Sequence, residues 1–182
     1  MLYLSNANQD ARAFVPTTAI NTQPQPMPTP SVKEIKQTLE QRPAADLVGL
    51  CLRLAKFKKE NKELLSYLLF EAADEAAFVR RVQEEMTDQF SAINTKSFFY
   101  MKAGVRKILR SVKTTIRYSS KRETEVELLL HFCAELQALR PSIKKNTVLT
   151  NLYQRQLERI RKLIPALHED LQHDYGQELD RL

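Results

Sequence analysis

Tryptophan is missing from this 182-residue chain, and glycine occurs only three times. So few flexible turn positions argue against a fold of many short strands joined by tight hairpins. There are two cysteines, Cys51 and Cys133, and no CxxC or Cys/His cluster. A disulfide scaffold and a zinc site therefore have no sequence support. Each cysteine sits in an apolar helical pattern, which suits a buried free thiol in a reducing compartment. A bridge between the two is not required. No apolar run approaches the length of a membrane-spanning helix, so none is expected and no membrane partner is assigned. The opening residues MLYLSNANQD lack a basic segment followed by an apolar one. No secretory leader is expected, and cytoplasm is the default compartment.

Catalytic signatures are also lacking. The chain has no Gly-rich phosphate loop, Walker motif, GxSxG, HExxH or EF-hand pattern. Three histidines, His131, His168 and His173, are a thin supply for acid–base work. Glu127, His131 and Glu135 are spaced four apart, as ligands on a helix can be. They fall on the polar face of their helix with no second ligand-bearing element, so no metal site is assigned. No catalytic residue and no cofactor is assigned either. An enzyme without a recognisable motif ranks third among the functional readings.

What the chain does have is helical periodicity. The expected fold is all-α, an irregular helical bundle or short α-solenoid of about seven helices, ending in a long kinked C-terminal helix. Residues 1–30 stand apart, with Asp10 and Arg12 their only charges and five of the eight prolines. Alternating prolines in TQPQPMPTP predict an extended, largely disordered tail. Residues 31–182 are expected to form a single helical domain. Ser31 and Glu34 fit a capping box. Pro43 opens a second helix with Leu47, Leu50, Cys51, Leu54 and Phe57 at helical spacing. It pairs as a hairpin with a third, in which Leu64, Leu65, Leu68 and Leu69 are core candidates. A fourth helix from Asp74 to about Ile93 carries Phe78, Val79, Val82, Met86 and Phe90 on one face. A sixth, Glu123 to Leu139, is apolar enough for burial on two sides.

The final stripe runs Leu149, Tyr153, Leu157, Ile160, Ile164, Leu167, Leu171 and Tyr175. It keeps phase through Pro165, so one helix kinked near Arg161 is expected. Packing within the bundle is its expected role. A homo-oligomer seam through residues 149–175 is the alternative.

Charge singles out one stretch. The net charge is +6, but it is uneven. From Gln89 to Arg122 there are nine Lys and Arg and no acid, leaving 19 basic and 22 acidic residues elsewhere. Stepping 100° per residue along this helix separates two faces. Phe98, Met101, Val105, Ile108, Leu109, Val112 and Ile116 form a core-facing arc. Lys102, Arg106, Arg110, Lys113 and Arg117 form an adjacent basic stripe, with Phe99 at its start. Gly104, Ser111 and Thr115 on the other flank would let a neighbouring helix approach closely.

Two readings follow. The first is a non-enzymatic helical scaffold with a protein partner, in which the stripe is neutralised by nearby acids such as Glu84, Glu85, Asp88, Glu123, Glu125 and Glu127. The second is a nucleic-acid or polyanion binder using the basic helix over residues 96–122, with the stripe exposed and Phe99 free to stack. Whether Arg106, Arg110 and Lys113 are exposed or paired distinguishes them.

Overall fold

A computed structural model describes residues 29–182. The proline-rich segment expected over residues 1–30 lies, apart from Thr29 and Pro30, outside the described residues. The fold is all-α, with eight α-helices and no strand among the described residues. The chain divides after Ala44 into two compact units.

In the first unit, α1 spans Val32–Glu40. Its capping box forms as the sequence suggests. Ser31 Oγ accepts from the Glu34 amide at 3.3 Å, and the Glu34 carboxylate accepts from the Ser31 amide at 2.7 Å. Two orphan donors of the first turn are thereby satisfied.

The second unit holds α2 (Ala44–Phe57, whose first residue precedes the division), α3 (Lys59–Ser66), α4 (Glu75–Ser91), α5 (Phe98–Ser119), α6 (Arg122–Ala138), α7 (Thr147–Leu163) and α8 (Glu169–Asp180). A π turn, Tyr67–Glu71, continues α3, and 3₁₀ turns precede and follow α7. The centre is α6, which packs against α4, α5, α7 and α8. Val126, Leu128, Leu129, Leu130, Phe132, Cys133 and Leu136 are all buried. Apolar side chains thus leave this helix in several directions. Even its polar positions reach neighbouring helices. Glu127 accepts from the Tyr175 hydroxyl on α8. His131 and Glu135 both bond Thr87 Oγ1 on α4, each at 2.9 Å. The three residues read from sequence as a solvent-facing polar stripe are therefore inter-helix contacts, half-buried against two neighbours. Among the described residues, no three metal-ligating side chains converge.

The core arc of α5 is as expected, with Met101, Val105, Ile108, Leu109 and Val112 buried. Its small flank faces α4. The Ile93 side chain comes within 3.1 Å of where a β-carbon on Gly104 would sit. The helix starts at Phe98, with Ser97 at the N-cap position. Asn94 Oδ1 accepts from the Lys96 amide at 3.0 Å and shapes the turn before it. It ends at Ser120, whose φ of 57° is left-handed and whose amide donates to Ile116 O at 2.9 Å. A left-handed residue there stops the helix and redirects the chain into α6.

One local expectation is corrected at the C-terminus. The single kinked helix is two helices, α7 and α8, separated by Ile164–His168. Pro165 lacks an amide donor, and Leu167 turns fully extended (φ −94°, ψ 174°). That ends the helical ladder rather than bending it. The apolar stripe is used inside the unit. Leu149, Tyr153, Leu157 and Ile160 are buried, and Ile164, Leu167 and Leu171 pack against the core.

A further correction concerns the second and third helices. The core assigned to Leu50, Cys51, Leu54, Phe57, Leu64, Leu68 and Leu69 is not a core. No residue of α2 or α3 is buried. Helical spacing identified an apolar face correctly, but no described residue buries it.

Candidate nucleic-acid interface

The basic stripe lies on α5 and is held by the packing of that helix on α4 and α6. Arg106, Arg110, Lys113 and Arg117 are exposed, and Lys102 is half-buried. Successive members are three or four residues apart, so charge recurs about every 5–6 Å along the axis. None of the five forms an ion pair with a described residue. The Arg110 Nε donates to the Arg106 carbonyl at 3.3 Å, which holds its guanidinium along the helix surface. Phe99 is 72% exposed, and its ring meets that of Tyr100 edge to face at 5.5 Å. Tyr100 was not singled out by the sequence pattern, because it falls outside both arcs.

Three of the six acids expected to neutralise the stripe are engaged elsewhere. Glu85 lies 3.7 Å from Arg81 on its own helix. Glu125 makes a two-point contact with Arg159 of α7, at 2.7 and 3.1 Å. Glu127 holds Tyr175. None of these three carboxylates pairs with the stripe, although Glu125 lines the same groove as Lys113 and Arg117.

Two grooves flank α5 and differ in charge. One, of about 610 Å³, runs between α5, α6 and α7. Its floor is aliphatic, with Leu109, Ile116, Leu129 and Leu152, and Lys113, Arg117 and Arg155 stand on its walls beside the Glu125–Arg159 pair. Arg155 is the residue that sequence reasoning left out of the site. It was visible as a charge on α7, but its place beside α5 depends on how the two helices pack around α6. The other groove, of about 1130 Å³, lies between α3 and α5. Here cations alternate with acids. Lys59 sits 3.0 Å from Glu63, and Arg81 pairs with Glu71. A polyanion meets one carboxylate on the first side, paired with Arg159, and four on the second.

Behind the stripe, Glu75 ties four elements together. Its carboxylate accepts from Ser119 Oγ (2.5 Å) at the end of α5, Thr124 Oγ1 (2.6 Å) on α6, Tyr67 Oη (2.7 Å) in the π turn and the Lys121 ammonium (3.0 Å). Burial pushes its pKa upward. The hydrogen bonds from Ser119, Thr124, Tyr67 and Lys121 outweigh that and bring it down to about 2. All its acceptor capacity faces protein donors, which makes it a structural clasp. No sequence motif marks it, since its donors lie 8 to 49 residues away.

Comparison with known protein families, curated proteins and solved structures finds no match. No helix among the described residues is long and apolar enough to cross a membrane.

Proposed function

We propose that this chain is a non-enzymatic interaction protein that grips a polyanion, foremost a nucleic-acid backbone, along α5. The observation that carries the reading is the exposure of Arg106, Arg110, Lys113 and Arg117 without a carboxylate partner. Unpaired exposed cations at one-turn spacing present the electrostatic footprint of a backbone binder. Phe99 and Tyr100 at the start of α5 supply exposed aromatic faces for a base, as single-strand binders use. Arg155 widens the footprint onto α7.

The test is titration of single-stranded and duplex oligonucleotides at several salt concentrations. Five phosphate contacts give a slope of log K against log salt of about −4.5 for duplex and about −3.5 for single strands. Arg106→Glu, Arg110→Glu and Lys113→Glu combined should abolish binding while leaving the helical circular dichroism and melting temperature in place. Absence of binding at low salt, or unchanged binding by the folded triple variant, refutes the reading.

A second reading, a helical scaffold for a protein partner, is favoured by a separate observation: the uncovered apolar surface of α2 and α3. An enzyme ranks below both.

A further inference from the structure

The groove between α5, α6 and α7 is built differently from the stripe beside it. Its floor of Leu109, Ile116, Leu129 and Leu152 is aliphatic, and all of these but Ile116 are buried. Its walls carry two pairs of cations at one-turn spacing, Lys113 with Arg117 on α5 and Arg155 with Arg159 on α7. One carboxylate shares the groove. It is Glu125, which Arg159 holds at two points, 2.7 and 3.1 Å. Four cations against one acid leave a surplus of three positive charges. Lys113, Arg117 and Arg155 form no ion pair with a described residue. The buried Gln156 also lines the groove. It donates one N–H to Leu152 O at 3.0 Å, and its amide carries a second.

We propose that this groove binds a single-chain anionic amphiphile, an acyl carboxylate, with its chain on the aliphatic floor and its head among Lys113, Arg117 and Arg155. The proposal does not rest on the polyanion reading, although both use Lys113 and Arg117. Size and chemistry select this occupant. A phosphate backbone has no use for an aliphatic floor. None of the described lining residues is aromatic, so a base finds no ring to stack on. A stable protein interface engages about 20–30 residues a side, whereas ten line this groove. Its volume of about 610 Å³ instead falls among small-ligand sites, roughly 300–1,000 Å³, which combine a mostly apolar lining with a few polar groups. A neutral apolar ligand would make no use of the three unpaired cations. A carboxylate head would, because Arg155 offers it the guanidinium fork that Arg159 already gives Glu125 one turn away.

The experiment is isothermal titration calorimetry of the full chain with octanoate, decanoate and 1-decanol, each below its micelle or solubility limit. Decanoate should bind. Decanol, with the same chain length and no charge, should bind at least about tenfold more weakly. Octanoate should bind at least about threefold more weakly than decanoate, against roughly fifteenfold for two fully buried methylenes. Arg155→Glu, at an exposed position, should weaken decanoate at least about tenfold and retain the wild-type circular dichroism spectrum. Ile116→Trp, which fills the floor, should weaken it as well. Arg106→Ala combined with Arg110→Ala lies outside the groove lining. It should leave decanoate affinity within about twofold while weakening oligonucleotide binding, so this proposal and the polyanion reading fail separately. The proposal is overturned by no decanoate binding at millimolar concentration, by equal affinity for decanol, or by unchanged binding in folded Arg155→Glu. If Arg155→Glu weakens an oligonucleotide but not decanoate, the groove belongs to nucleic acid and the proposal falls.

Discussion

Helix α2 is richer in apolar residues than α6, yet α2 buries none of them and α6 buries eight residues. Composition is therefore not what separates the two. The difference lies in what each helix meets. Four other helices converge on α6, and each of its apolar directions finds a partner. Helix α2 joins its successor through Lys58, and the Asn61 amide donates to Leu54 O at 2.9 Å. Apolar patterning states a demand for burial. Whether one chain can meet that demand depends on the arrangement of all its helices.

Phenylalanine provides the widest contrast between the two regions. Phe132 is fully buried and stacks edge to face on Phe90 at 5.4 Å, whereas Phe57 is 75% exposed. Phe132→Ala should cost about 3–5 kcal/mol in urea unfolding. In dilute protein, Phe57→Ala should stay within about 0.5 kcal/mol. If the two costs are equal, α2 is packed in solution and the contrast is broken. If the cost of Phe57→Ala grows with protein concentration, the uncovered face is being buried between copies.

The clasp on Glu75 ranks next. Glu75→Gln removes the charge and turns an amide toward two donors, at a cost on the order of 2 kcal/mol. The pH dependence has a definite sign. The carboxyl is depressed from 4.5 in the unfolded chain to about 2 in the folded one. Its contribution is present above pH 4.5 and is lost as pH falls toward about 2. Acid titration of stability should show that loss in the native chain, and the slope should diminish in Glu75→Gln. An unchanged slope would mean that other carboxylates govern acid unfolding.

Smaller effects belong to α5. Arg106→Ala should reduce the salt dependence of polyanion binding by about one unit of slope and leave the melting temperature unchanged. Gly104→Ala sets a helix-propensity gain of about 1 kcal/mol against the squeeze on Ile93. A net change under about 1 kcal/mol in thermal unfolding is expected. A larger loss would show that the turn carrying Ile93 and α5 are locked at the distance seen here.

Much of the fold was legible before any coordinates. The capping box of α1, the core arc of α5 and the apolar density of α6 are local patterns, fixed by 3.6-residue periodicity and by the identity of one or two flanking residues. The basic stripe was legible for the same reason. Its state was not, because whether Glu85 and Glu125 turn toward α5 or toward Arg81 and Arg159 depends on relations between helices. The break at Pro165 also escaped periodicity. The apolar stripe keeps its phase across the extended Leu167, since both helices serve one core.

The amino-acid sequence by itself determined which residues form helices and which face of each is apolar or charged. Those properties follow from interactions within a few turns of chain. Only the tertiary structure decided that α6 is enclosed while α2 is uncovered among the described residues, that the α5 cations lack carboxylate partners there, and that Glu75 of α4 gathers donors from α5, α6, the π turn and Lys121. These are outcomes of packing between segments tens of residues apart, and the same local pattern is compatible with either result.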